Sequence, residues 1–214
     1  MGKKQKIVVF DFDGTLTTRD TLLLFIRHAC GRRAFLRGFL LHLPLLVLMK
    51  LRLYDNGKCK ERVFSHFFRG WTEEHFNESC QHFADSYQHI LRPQTVQALR
   101  RAQQDGVRVF IVTASIDRWV QPFFPDVEVV GTQVETKGGH LTGRFLTPNC
   151  YGQEKVRRLR QALPVAESQR ELYYVVAYGD SRGDRELLAW ADEGILVKEN
   201  EITQYRNTAI TASK

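Results

Sequence analysis

Cysteine is scarce in this 214-residue chain, limited to Cys30, Cys59, Cys80 and Cys150. No CxxC pair occurs among them and their spacings match no zinc pattern. Without a secretory signal they read as free thiols of a reducing compartment. The basic start is followed by an apolar run, residues 7–10, that ends at Asp11 and is too short for a signal-peptide core. The expected location is therefore cytoplasmic. Proline and glycine are few, at 6 and 15, and with 43% hydrophobic and 26% charged residues disorder is not the starting assumption. Internal repeats, low-complexity tracts and Gly/Ser/Pro-rich linkers are missing as well. The length then allows one substantial domain, or one domain with a sizeable insertion.

Positive charge is in excess. Thirty-one Lys and Arg against 24 Asp and Glu give a formal net charge of +7. That balance suits anionic partners, whether phosphorylated metabolites, acidic lipid surfaces or nucleic acid, and suits a merely soluble basic surface equally. The basic residues show no interleaved aromatic platform of the kind single-strand binders use, so nucleic acid is not an expected partner.

Short β-branched runs at residues 7–10, 107–112, 127–130, 173–177 and 195–197 read as buried parallel strands. Helical patterns lie between most of them. Residues 92–104 end at Gly106, residues 155–163 are stopped by Pro164, and residues 186–191 form a third helix. This alternation predicts an α/β fold with a doubly wound, Rossmann-like parallel sheet. Two segments depart from it. Residues 18–90 contain helix-like stretches and no convincing strand, so they read as a helical insertion into a core made of residues 1–17 and 91–214. Residues 131–146, with the turn-like Lys137-Gly138-Gly139, predict a β-hairpin after the third strand.

The first strand runs directly into Asp11-Phe12-Asp13-Gly14-Thr15. Ligand crevices of open parallel sheets lie at the carboxyl ends of the strands. If the strand continued, Asp11 and Asp13 would face the same way. Two carboxylates so close call for a cation or a shared proton. Mg²⁺ is the natural cation, because it is hard and is usually held by one or two carboxylates plus phosphate oxygens. The second strand leads into Thr113-Ala114-Ser115 and the fourth into Gly179-Asp180-Ser181-Arg182-Gly183-Asp184. Lys155 opens a helix near the same end. Acidic and hydroxyl clusters at three strand ends, with one lysine, form a set suited to phosphoryl transfer.

This order of motifs resembles the haloacid dehalogenase superfamily, and the large insertion resembles the helical cap of its phosphoserine phosphatase-like branch. The likeness spans residues 7–197. It implies Asp11 as the nucleophile that forms an aspartyl-phosphate, and Asp13 as the acid and base whose backbone carbonyl ligates magnesium. It implies that Thr113 and Lys155 bind the transferring group, that Asp180 ligates the metal, and that Asp184 either ligates it or orients those that do. Asp20 and Arg62 match cap positions that hold the amino and carboxylate groups of phosphoserine. Where phosphoserine phosphatases usually carry Ser-Gly-Gly, this chain has Thr113-Ala114-Ser115. The side chain of Ser115 would enter the substrate space and counts against phosphoserine itself.

The cap contains the apolar segment 39–49, interrupted by Pro44, where a kink is expected. Arg32, Arg33 and Arg37 precede it, and Lys50 and Arg52 follow. The uncharged run is shorter than the roughly 20 residues a membrane span needs. It suits shallow insertion at an anionic lipid surface, or a helix buried against other cap helices, and the buried helix is the primary expectation. The cap also resembles that of bacterial phosphatidylglycerophosphate phosphatases. The expected activity is thus hydrolysis of a small or lipid-linked phosphate monoester. One alternative is phosphotransfer or phosphonate cleavage, the latter needing a cap lysine such as Lys58 or Lys60. Another is a non-catalytic anion binder, which would gain nothing from four clustered aspartates.

Overall fold

The computed structural model describes residues 4–163, 167–198 and 201–205. Its eight strands are β1 (Gln5–Phe10), β2 (Arg108–Ile116), β3 (Glu128–Thr132), β4 (Val134–Lys137), β5 (His140–Phe145), β6 (Tyr173–Gly179), β7 (Glu193–Lys198) and β8 (Glu201–Gln204). Six of them form one sheet in the order β3-β2-β1-β6-β7-β8, parallel except for β8, which pairs antiparallel with β7. The expected α/β fold is observed, with β8 as an additional edge strand.

The sheet is covered on both faces, which is why its strands read as unbroken apolar runs. Val8 and Phe10 of β1 pack to one side, and Ile7 and Val9 to the other. The second side is closed by α6 (Gln153–Ala162) and α7 (Arg185–Trp190) through Val156, Leu159, Leu187 and Leu188. The first side meets α4 (Pro93–Gln104) and the short α5 (Asp117–Val120). It also meets three helices inserted after β1: α1 (Thr21–Lys50), α2 (Asn56–Phe68) and α3 (Glu73–Ser86). Phe25, Phe64, Phe68, Phe76 and Phe83 of those helices form an aromatic cluster with ring centroids 5.0–6.0 Å apart, continuous with the sheet's own core. Pro164, expected to stop α6, lies outside the described residues.

Three local expectations are corrected. α1 runs through Pro44, and its helical dihedrals break instead at Gly31 (φ 80°, ψ 161°), a conformation open chiefly to glycine. β2 does not stop at Val112 but continues to Ile116 through a register shift against β3. β1 does not continue through the Asp11–Asp13 pair. The chain turns over Phe12–Leu16, with Gly14 at φ 78°.

The hairpin of β4 and β5 forms as expected, turning at Gly138 and Gly139, both with positive φ. Its place was not foreseen. It packs on α2 and the start of α3, with Leu141 bonded to Gly70 and Trp71 and the Phe145 amide donating to Glu61 at 2.8 Å.

Candidate active site

Register assembles the site. Phe10 at the end of β1 pairs with Ile111 on one side and Tyr178 on the other, so the residues just beyond these three positions converge. Asp11 emerges from the centre of the sheet, with Thr113 on β2 and Asp180 beyond β6 beside it. The turn that follows is fixed from below. Arg92 donates to the Gly14 carbonyl at 3.0 Å, and the Thr95 hydroxyl to that of Thr15 at 2.8 Å. Gly14 is required here twice over, by its positive φ and because a Cβ would lie 2.2 Å from Asp180 Oδ2.

Lys155, at the start of α6, is only 2% exposed and places Nζ 2.5 Å from both Asp11 Oδ1 and Asp184 Oδ1. The other oxygen of Asp184 accepts from the Ser181 hydroxyl at 2.9 Å and from the amides of Ser181 and Asp180 at 3.0 and 3.2 Å. Both oxygens of Asp184 are therefore engaged. Asp13 is clamped from the opposite direction. Its Oδ1 accepts from the Thr21 amide and hydroxyl at 2.9 and 2.6 Å, and its Oδ2 accepts from the Ser115 hydroxyl. The Trp119 indole donates to the Thr21 hydroxyl at 3.2 Å and so fixes Thr21 in turn.

These contacts set the protonation equilibria. Burial, then the Asp184 charge, raises the Asp11 pKa well above the ordinary carboxylate value against the pull of Lys155. Asp180 is pushed up to about 6 by burial and by Asp184. Burial and Asp20 raise Asp13, with the Ser115 and Thr21 hydrogen bonds opposing. Burial also works against the charges of Asp184 and Lys155, but their pairing wins, holding Asp184 below and Lys155 above their ordinary values. Asp11, Asp180 and Asp184 bring ligand atoms within 4.8 Å of one another. Three carboxylates against one lysine leave an uncompensated negative charge, and with Asp184 already engaged, Asp11 and Asp180 are the oxygens that fit a hard divalent cation.

A cavity of about 440 Å³ opens from these residues toward α1 and α2. It is lined at its base by Asp11, Asp13, Thr113, Lys155 and Asp180. Asp20 also lines it and caps α1 by accepting from the Leu22 amide at 2.9 Å. Ser115 lies buried beneath Asp13 and does not line it. Arg62 is not brought to the site. It is exposed, with its guanidinium 5.4 Å from the Tyr54 ring centroid. Lys60 enters instead, with Nζ donating to the Ala114 carbonyl at 2.8 Å; burial lowers its pKa, opposed by Asp13 and Asp20. The signal for Lys60 was present in the sequence. It sits on the α2 stripe Cys59, Val63, Phe67, a lone charge on an apolar face, whereas Arg62 lies two residues on and points away. Thr21 carried no such signal, because its tie to Asp13 spans eight residues and a change of element.

The upper cavity is walled by that stripe and by Phe35, Phe39, His42, Leu46 and Met49 of α1, spaced at i, i+4, i+7, i+11 and i+14. The opposite face of α1 is exposed. Leu40 and Leu41 are 66% and 67% accessible, and Leu36, Leu43, Val47 and Leu48 are exposed beside them. The expectation of a helix buried all round is thus corrected. One face of the segment lines a cavity and the other meets solvent.

Residues 8–189 match the family model of haloacid dehalogenase-like hydrolases. The chain belongs to that family. Protein CicA of Caulobacter vibrioides is 34% identical over 200 residues, covering 90% of this chain and 86% of that protein. Among solved structures, a protein of unknown function from Bordetella pertussis Tohama I superposes with a TM-score of 0.75 at 20% identity, over 87% of each chain. A phospho-aspartyl intermediate analogue of phosphoserine phosphatase gives 0.52 at 16% identity, over 88% of this chain and 84% of that one. At such identities the structural likeness establishes the fold.

Proposed function

We propose that this haloacid dehalogenase-like hydrolase is a Mg²⁺-dependent phosphomonoesterase that acts through an aspartyl-phosphate on Asp11. The observation that carries this reading is the buried Asp11, paired with Lys155 and flanked by Thr113 and Asp180 at the cavity base. A carboxylate oxygen of Asp11 attacks phosphorus while the bond from phosphorus to the ester oxygen breaks. Asp13, whose raised pKa favours the protonated form, donates its proton to the departing alkoxide. Water then attacks the aspartyl-phosphate, Asp13 takes its proton, and phosphate and free Asp11 result. Thr113 and Lys155 bind the transferring oxygens, and Ser115 and Thr21 hold Asp13 in place. Mg²⁺, held by Asp11, Asp180 and the Asp13 carbonyl, would supply charge neutralisation on the phosphoryl group. Asp184 is an orienting residue in this scheme. In the same reading, residues 18–90 act as a cap over a core of residues 1–17 and 91–214.

A stability measurement tests the metal. The Asp180 pKa of about 6 lies above its ordinary 3.8, so its ionised form is disfavoured in the fold. The metal-free protein should lose stability as pH rises through about 6. At pH 8, Mg²⁺ at about 100 times its Kd should raise the melting temperature by about 5–10 °C. Activity should vanish in EDTA, and Ca²⁺ should replace Mg²⁺ poorly. Undiminished turnover after exhaustive chelation contradicts the assignment.

We also infer peripheral contact with an anionic membrane from a cytoplasmic location. No described helix is long and apolar enough to cross a bilayer. The exposed leucines of α1 are flanked by Arg32, Arg33, Arg37, Lys50 and Arg52, all exposed. Such a face is unusual on a protein without a partner. Co-sedimentation with vesicles should require anionic lipid and weaken with salt, since surface attraction decays over about 10 Å at 0.1 M. Leu40→Gln with Leu41→Gln should abolish it. Equal binding to neutral vesicles at all salt concentrations argues against the contact.

A further inference from the structure

The cavity is far larger than a phosphoryl group needs, and its chemistry changes sharply along its length. Charged and hydroxyl groups gather at the base, where Asp11, Thr113, Lys155 and Asp180 converge, and Arg19, Asp20, Asn56, Lys60 and Tyr151 add further polar lining. The two facing stripes on α1 and α2 are apolar. Apart from Lys60 on the same α2 face, their eight side chains (Phe35, Phe39, His42, Leu46, Met49, Cys59, Val63 and Phe67) carry nitrogen or oxygen only at His42, whose Nδ1 lies 2.9 Å from the Gly38 carbonyl oxygen. Hydroxyl or amino groups of a small polar alcohol set against these two stripes would be left unpaired.

The direction in which the alcohol leaves is set by Asp13. Thr21 of α1 and Ser115 of β2 hold its carboxyl on the cap side of Asp11. The ester oxygen that receives its proton must lie there, so the leaving alcohol points into the apolar part. We infer that the substrate is a phosphate monoester of an amphiphilic alcohol, whose hydrocarbon chain lies between the α1 and α2 stripes; this rests on the phosphomonoesterase reading above. Lys60 stands where the polar base meets the apolar walls, and its ammonium, bonded to the Ala114 carbonyl, is placed to face the head of such a molecule. Chemistry recognises the chain but not its source, which is either a free amphiphile or a phosphorylated lipid in a bilayer.

The test is a series of n-alkyl phosphates from ethyl to dodecyl, held below their micellar concentrations, with vesicles of phosphatidic acid as a second arm. Values of kcat/KM should rise roughly 30-fold or more between ethyl and octyl phosphate, well below the roughly fourfold per methylene that complete burial would give. Hydrolysis in the vesicle arm identifies the bilayer as a source, and hydrolysis of soluble esters alone identifies free amphiphiles; either supports the inference. Calorimetric binding of the same series to the Asp11→Asn variant separates the two claims. Chain-dependent binding without turnover in the wild type sinks the phosphomonoesterase reading and leaves the cavity assignment standing. A flat series in both kcat/KM and binding overturns the assignment. Val63→Trp, or Leu46→Trp if the first does not fold, should compress the octyl-to-ethyl ratio toward one, and an unchanged ratio in a folded variant also counts against it.

Discussion

Asp11→Asn leaves a folded protein that turns over phosphate esters roughly 10⁴-fold or more slowly than the wild type. The amide has nearly the shape of the carboxylate but cannot attack phosphorus effectively. The fold tolerates the exchange for an electrostatic reason. Asp11 is buried beside Asp184, and both burial and that like charge already disfavour its ionised form. Lys155 keeps its second partner, Asp184, at 2.5 Å, so no cation is stranded. The melting temperature should therefore change little while activity disappears. Near-normal turnover of p-nitrophenyl phosphate by a preparation free of wild-type enzyme would remove Asp11 from the mechanism.

Lys155→Met has the largest expected effect on stability. Methionine approximates the length of the lysine stem but brings no charge, leaving Asp11 and Asp184 buried and facing each other. Removing one partner of a buried ion pair costs about 3–5 kcal/mol, or about 10 °C in melting temperature for a chain of this size. The deficit should depend on pH, and the sign can be worked out. Lys155 holds Asp184 below its ordinary pKa, so that group adds stability above pH 3.8 and loses it as pH falls through its depressed value. Without the lysine the depression is lost, and the buried carboxyls relieve their repulsion by protonation. The variant should lie closest to wild type near pH 5 and furthest from it near pH 8. An equal deficit at both would mean that packing, not charge, is what Lys155 supplies. Activity should be lost alongside, since the same ammonium is the cation beside Asp11.

The core of the fold was legible because it obeys local rules. A strand buried on both faces must be apolar throughout, and residues 7–10 and 173–177 are so in the sequence. The positions of Asp11 and Asp180 followed from one topological rule about strand ends, whereas Thr113 lies within β2, which runs on to Ile116. What escaped was whatever depends on distant geometry. Asp13 reaches the cavity base through a turn at Gly14 and the grip of Thr21 and Ser115, not through strand alternation. Pro44 looked the stronger breaker, yet the helical dihedrals of α1 break at Gly31 and continue through Pro44. The docking of the β4–β5 hairpin on α2 rests on backbone bonds such as that between Gly70 and Leu141, which leave no mark in composition. The two faces of α1 could not be distinguished in a segment that is apolar all round. Only the placement of α2 decides which leucines line the cavity.

The central claim is a covalent bond between phosphorus and Asp11. Enzyme quenched during steady-state turnover should be treated with borohydride, which reduces an acyl phosphate to an alcohol but spares free carboxylates, and its peptides then mapped by mass spectrometry. A substrate-dependent reduction product should appear at Asp11, absent in the Asp11→Asn variant and suppressed when Mg²⁺ is chelated. A product on another residue, or none at all while phosphate release proceeds and the trapping step succeeds on a known acyl phosphate, would contradict it.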